Sequence, residues 1–589
     1  MSDKKVRVGC ASAFYGDSQL AARQLVDKGE IDYLVFDYLA EATMAILARA
    51  KATNADFGYA VDFVTVAMKD VLSDCSKKGI KVIANAGGVK VPACISALEQ
   101  LCEMLELDLT VAGVYGDDLS NHEHGAMPEM QTGKPLPAKL ASINAYLGAM
   151  PISDALAAGA DIVVTGRVVD SAVALAPLIH EFGWSETDYD QLAQGSLVGH
   201  VIECGAQCTG GNYTDWQDVP DFSDMSYPIA EVSSDGSFIV DIPKDTGGLV
   251  TVGSVGEQIL YEIGDPANYL LPDVACDFSN VLLEQIAKDR LKVSGAKGRA
   301  PGNKYKVCAT YIDGYRLMGT FFMGGQRCAD KARTSLNAWV KRTRSAFTAK
   351  GLDDYRAVSI EIIGSEDTYG PHARSQNTRE VMGKFGLHHN DKNALIFASA
   401  EMAYLATSAT PGMSGFGAGR TKPQPLMMVH STFISKDDVP VKVQVADNII
   451  ADKCYSTEQD SAPIAKYYYQ LDPIDSSIAT KVVELEQLAY ARSGDKGNNA
   501  NIGIIAREDK YLPILFEQVT AQAVEDYLSH LVEGEVERFD VPGFNAFNFF
   551  LTEALGGGGT ASIRVDPQGK AFGQMLLSMK VKVPVEWDI

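Results

Sequence analysis

Short apolar runs alternate with longer stretches of helical spacing through the first 230 or so residues, and this alternation leaves few folds open. Runs of strand length fall at residues 6–10, 33–36, 81–84, 109–114 and 161–164. Between them, residues 20–28, 40–50, 63–77 and 95–105 carry apolar side chains at the spacing of a helix with one buried face. A strand that is apolar at every position buries both of its faces, as happens when helices cover a parallel sheet on two sides. The expected architecture is a mostly parallel, Rossmann-like sheet over residues 1–234. The runs close on Gly16, Asp37, Asn85, Asp117 and Gly166-Arg167. Open α/β sheets bind ligands at the carboxyl ends of their strands, so these residues should open onto one pocket.

The texture changes near residue 235. Strand-like runs at 237–242, 249–252, 305–312, 357–363, 426–434 and 441–445, with helical patterns at 329–349 and 394–407, predict a mixed α/β domain over 235–475. Pro463 and Pro473 flank residues 466–471 as a linker. Residues 476–589, with a helical stretch at 513–531 and glycine at each of 556–559, read as a small α+β domain.

Lys and Arg number 52 against 76 Asp and Glu, a net charge of -24 that repels phosphate backbones and makes nucleic acid an unexpected partner. No apolar run approaches the roughly 20 residues that span a bilayer. The first residues lead directly into a strand, which leaves no room for a signal peptide. Ten scattered cysteines form no disulfide framework. The expected setting is the cytoplasm.

Several segments carry chemistry. Gly9 to Ser18 follows the first strand and offers backbone N–H groups, with Ser12 or Ser18, to an anion; a plain turn capped by Asp17 or Ser18 is the alternative. Asn85, Gly87 and Gly88 close the third strand. Asp37, Glu41, Asp117 and Asp118 follow other strands and suit either a divalent cation or an acid/base pair, with helix capping as the plain alternative. Gly166 precedes Arg167, a planar fork for a carboxylate or phosphate, unless Arg167 only pairs with Asp170. The segment Gly199 to Gly211 is the leading catalytic candidate: His200 as base, Glu203 as acid, and Cys204 as a nucleophile if its pKa is depressed. Gly210 and Gly211 would admit a ligand close to the backbone. Cys204 could equally be inert packing. Gly412, Gly415, Gly417 and Gly419 lead into Arg420 and Lys422, and Arg492 and Lys496 bracket a second glycine turn; both segments suit an anion cradle, and the first also a lid. His122-Glu123-His124 is better read as a solvated loop than as a metal site, and His388-His389 as a polar turn. There is no G-x-G-x-x-G, P-loop, G-x-S-x-G or H-E-x-x-H pattern.

Taken in order, residues 85–88, 161–170, 176–184, 199–200, 203–211, 246–252, 269–277, 411–419 and 491–497 resemble the acyclic terpene utilisation family, AtuA, over nearly the whole chain. The resemblance implies a ferredoxin-like C-terminal unit. It also implies a place in the breakdown of citronellol- and geraniol-type terpenes, which proceeds through branched acyl-CoA thioesters. The activity so implied is hydration, dehydration or carbon–carbon cleavage of such a thioester or the related acid, a lyase or hydratase reaction. Coenzyme A would be the substrate's carrier, and a divalent metal stays open. The alternative is a non-catalytic binding or assembly protein serving an acyl-CoA carboxylase. A symmetric homo-oligomer is expected on general grounds.

Overall fold

The computed structural model describes residues 4–54, 56–123, 125–415, 419–457, 467–471, 474 and 479–589. Its main sheet contains β1 (Lys5–Cys10), β2 (Tyr33–Phe36), β3 (Lys81–Ala84), β4 (Val111–Tyr115), β5 (Ile162–Thr165), β6 (Ile229–Ser233) and β7 (Phe238–Asp241). It is completed by β8 (Leu282–Ala287), β9 (Arg290–Ser294), β10 (Val441–Val445) and β11 (Asn448–Lys453). The strand order is β8-β9-β7-β6-β1-β2-β3-β5-β4-β10-β11.

The centre, β1-β2-β3-β5-β4, is parallel. Helices cover both faces, and the strand residues divide between two cores accordingly. Tyr33, Val35, Ile83 and Val163 enter one core. Leu34, Phe36, Val82 and Ile162 enter the other.

The sheet as a whole is mixed, which corrects the expectation of a mostly parallel one. Every strand added outside the parallel centre runs antiparallel to its neighbour. In the hairpins β6–β7, β8–β9 and β10–β11 the reason is connection length. β6 turns into β7 through Ser234, Asp235, Gly236 and Ser237, and so short a link can join only antiparallel strands. The expected division at residue 235 falls inside this hairpin, and β10 and β11 return to the opposite edge from residues 441–453. Residues 249–251 are not a strand; they lead into the helix Val252–Leu260 through a capping box. There the Ser254 N–H donates to Thr251 Oγ1 at 3.1 Å, and the Thr251 N–H donates to Ser254 Oγ at 3.0 Å.

A second sheet is built on the strand Lys304–Gly324, which pairs with Ser142–Ala145, Gln424–Ser435, Glu380–His389 and Met413–Gly415. Its near end therefore meets the main sheet's loops, and its far end runs away from them.

The C-terminal unit has its own core. Its four antiparallel strands lie in the order Ala489–Lys496, Asn499–Ala506, Ala546–Leu551, Val536–Val541. The helical stretch expected at 513–531 is two helices, Leu512–Gln518 and Ala521–Leu528, because Thr520 caps the second. This unit docks on the helix Val252–Leu260: Asn501 Nδ2 donates to the Leu260 carbonyl at 2.6 Å, and Asn548 Nδ2 to that of Ile263 at 3.0 Å. Pro463, Lys466 and Pro473 of the expected linker lie outside the described residues.

Among the described residues no helix is long and apolar enough to cross a membrane.

Candidate functional site

The carboxyl ends of β1, β2 and β3 are tied together around Asp37. Ser12 Oγ donates to the Asp37 carbonyl at 3.0 Å. Asn85, fully buried, donates to the Asp37 carboxylate and accepts the Tyr38 N–H at 2.7 Å. Burial pushes the Asp37 pKa well up, and the charge of Asp170 adds to the effect while Arg167 opposes it. Ser12 and Asn85, expected as binding residues, thus hold a carboxylate in place. Gly87 and Gly88 pack against the Thr165 carbonyl and Leu47.

At the end of β5, Asp117 is a brace. It accepts the Arg167 backbone N–H and Asn144 Nδ2, each at 2.8 Å, and burial still raises its pKa to about 6. Gly166 makes room for it: a Cβ there would stand 2.3 Å from the carboxylate. The turn so fixed delivers Arg167, which is 2% exposed, over the Tyr146 ring at 4.0 Å. Arg167 Nη1 bonds Asp170 Oδ1 at 2.5 Å and the Val168 carbonyl at 2.8 Å, while its buried Nε has no partner. The Tyr146 hydroxyl donates to Glu41 Oε1 at 2.7 Å, and Lys306 Nζ reaches the same oxygen at 3.1 Å. Burial disfavours the Glu41 carboxylate, but Lys306, Arg167 and this hydroxyl outweigh it and hold its pKa below the ordinary range.

The helix Tyr189–Ile202 carries His200 into the same region. His200 is 1% exposed, with Nε2 3.0 Å from the Ile259 carbonyl. A carbonyl only accepts, so Nε2 bears a proton. Nδ1 then faces Glu203 Oε1 at 3.1 Å, and one proton lies between them. Burial raises the Glu203 pKa, with His200 opposing, and Glu203 Oε2 is buried without a partner. His200 therefore has both nitrogens engaged and acts by positioning Glu203. Cys204 does not fit a nucleophile: burial and the charges of Glu203 and Glu262 push its thiol well above the ordinary value, so it stays protonated. Gly210 and Gly211 are packed against Val219 and Ala206, closing the short helix Gly205–Thr209.

The C-terminal unit supplies the next layer. Arg492 donates to Gln207 and lies 4.6 Å over the Tyr261 ring. Lys570 Nζ bonds Glu262 Oε1 at 3.0 Å, Asp495 Oδ1 at 3.1 Å and the Tyr261 hydroxyl. Arg420 and Lys422 flank Thr421, which lies elsewhere. The Thr421 carbonyl accepts from Ser399 Oγ at 2.6 Å, beside Gly319 of the long strand. That is on the order of 40 Å along the strand from Lys306. Gly417 lies outside the described residues.

His122 donates its backbone N–H to the Leu119 carbonyl at 2.9 Å, and His124 lies outside the described residues. His388 and His389 are not a polar turn but the end of the strand Glu380–His389, and His389 is 2% exposed. Among the described residues no three His, Cys, Asp or Glu side chains gather as a metal-binding group. Tyr146, Lys306, Glu262 and Lys570 were missed by sequence reasoning, because none ends a parallel strand or sits in a patterned motif. Asp495 lay inside the quoted 491–497 segment.

Fold and site together define a two-part protein, a mixed α/β unit on whose helix Val252–Leu260 a small ferredoxin-like domain docks. The chain belongs to the acyclic terpene utilisation family: the description "acyclic terpene utilisation family protein AtuA" matches residues 6–445, and "AtuA ferredoxin-like domain" matches residues 483–582. Comparison with curated proteins and with solved structures gave no match.

Proposed function

We propose that the protein is a catabolic enzyme that performs acid–base chemistry next to the carbonyl of a branched-chain or terpenoid acyl-CoA, or of the related free acid. The outcome would be hydration, dehydration or carbon–carbon cleavage, all of which pass charge onto a carbonyl oxygen. The observation that carries this reading is Glu203: a buried carboxyl of raised pKa, braced through one oxygen by His200 and unpartnered at the other. A carboxyl tuned upward exchanges protons efficiently near neutral pH.

Glu203 Oε2 takes the proton from substrate carbon, or returns it to a leaving oxygen. His200 Nδ1 shares the remaining proton with Oε1 and steadies the carboxyl in either state. Arg167, whose Nε lacks a partner, offers a fixed donor to the developing enolate oxygen. The acyl-CoA assignment draws on the family's link to terpene breakdown.

The test is proton exchange in deuterated water, followed by NMR at the carbon beside the carbonyl, with a panel of branched acyl-CoAs and their free acids. Wild-type protein should exchange at least one of them, and Glu203→Gln should lose exchange while melting at nearly the same temperature. Absence of exchange across both panels would defeat the reading.

A further inference from the structure

The C-terminal strand Ala489–Lys496 packs on the α/β unit at the helix Val252–Leu260 and the residues that follow it, and the alternation of its side chains decides what it presents there. Arg492 reaches Gln207 and Tyr261. Two residues on, Gly494 abuts the same surface; a Cβ there would stand 2.6 Å from the Tyr261 ring and 2.8 Å from Glu262. Lys496, two further, shares this face. It is exposed, and its ammonium makes no hydrogen bond or ion pair with any of the described residues, whereas Arg167, Lys306 and Lys570 are each paired with a carboxylate.

Lys496 is also held still. It pairs with Asn499 across the tight turn Gly497-Asn498 that joins two sheet strands. The glycine run at 556–559 clasps that turn. Asn498 Oδ1 accepts the Gly557 N–H at 2.6 Å, and the Asn498 carbonyl accepts the Ala554 N–H at 3.0 Å and the Leu555 N–H at 3.1 Å. Gly556, Gly557 and Gly558 have φ of 61°, 109° and 81°, which side-chain-bearing residues rarely adopt, and a Cβ on Gly558 would stand 2.4 Å from the Gly497 carbonyl. These glycines have a definite use: they fix the hairpin tip that carries Lys496.

Burial disfavours the charged forms of Glu203 and Glu262, and Lys496 is among the cations that offset it. A chain of net charge -24 attracts an anion only through cations placed locally. From the shared strand face, the clasped turn and the unpaired ammonium, we infer that the ferredoxin-like domain completes the substrate site. Its Lys496 binds an anionic oxygen group of the ligand, a carboxylate or a phosphate, on the side facing Glu203 and Arg167. This deepens the acid–base reading of Glu203 and rests on it.

The test is calorimetric titration of the full chain with three probes: the branched acyl-CoA that exchanges best, its free acid, and coenzyme A alone. Lys496→Ala should weaken binding about ten- to a hundred-fold, the usual worth of a charge-assisted contact, with an unchanged melting temperature. Lys496→Arg should recover most of it. Loss confined to the free acid assigns the contact to a carboxylate, and equal loss with the thioester and with coenzyme A alone assigns it to a phosphate. Binding of all probes by Lys496→Ala at wild-type affinity overturns the inference, as does failure of the wild-type chain to bind any of them. Glu203→Gln separates the two readings. If it exchanges protons like wild type while Lys496→Ala still loses affinity, the role of Glu203 fails and that of Lys496 stands.

Discussion

Arg507 of the C-terminal domain grips both carboxylate oxygens of Asp215, with Nη1 at 2.5 Å from one and Nη2 at 2.6 Å from the other. Its guanidinium also lies 4.2 Å over the Tyr490 ring. This pair ties the domain to the α/β unit by a planar fork that meets a planar carboxylate with two parallel bonds.

Arg507→Ala should loosen that docking. The pair is partly solvated, so the expected loss is about 1–2 kcal/mol rather than the larger cost of a dry ion pair. Calorimetry should show a lower or divided thermal transition, and a superimposable trace would mean that the domains are held by other contacts. Arg507→Lys should recover less than half, since an ammonium cannot make the second bond.

Glu257 sets a pH dependence. It is 3% exposed, accepts the Thr214 N–H at 3.2 Å, and is pushed up to about 8 by burial. Its pKa is thus higher in the native state than in the unfolded chain, so between those values the native state binds more protons. Stability therefore falls as pH rises from about 4.5 to 8, by at most about 1.4 kcal/mol per unit. Urea unfolding at several pH values should show this slope flattened in Glu257→Gln. An unaltered slope would assign it to other groups.

Gly166→Ala should displace the Asp117 carboxylate, which stands 2.3 Å from where the new methyl group would lie. A loss of about 1–3 kcal/mol is expected from overpacking a buried turn. Proton exchange should fall with it, because that turn aims Arg167. Gly125→Ala, with nothing within 4 Å of its Cβ, serves as the neutral control. Equal stability in the two variants would contradict the role given to the turn.

Cys204→Ser should keep proton exchange within a few-fold of wild type, since a thiol held protonated by burial offers no nucleophile. Slow alkylation of Cys204 at neutral pH, read by mass spectrometry, is the companion observation. Rapid modification with loss of exchange would restore Cys204 to the chemistry.

Much of the molecule was determined by the sequence itself. The five parallel strands and their covering helices follow from local hydrophobic period, and each lies within a few residues of its expected place. The polar strand ends at Asp37, Asn85, Asp117 and Arg167 were legible for the same reason, as was the pairing of Arg167 with Asp170 as one of two readings. Such features depend on a residue and its near neighbours in the chain.

Only the tertiary structure decided the rest. Periodicity says nothing about which distant segment joins an edge, so β10 and β11 could not be placed beside β4. The two glycine-and-cation segments look alike in sequence, yet Arg420 and Lys422 lie toward the far end of a 21-residue strand, while the hairpin of 489–506 sets Arg492 against Gln207 and Tyr261. Ser12, Asn85 and Asp117 became braces, and the Cys204 thiol was pushed up by burial, because desolvation and hydrogen-bond partners arise from residues tens of positions apart in the chain. Tyr146 meets Glu41 and Lys306 only once three segments of chain have packed together. Burial and long-range pairing are properties of the folded whole, and they determine which of several chemically plausible side chains keeps a buried atom without a hydrogen-bond partner.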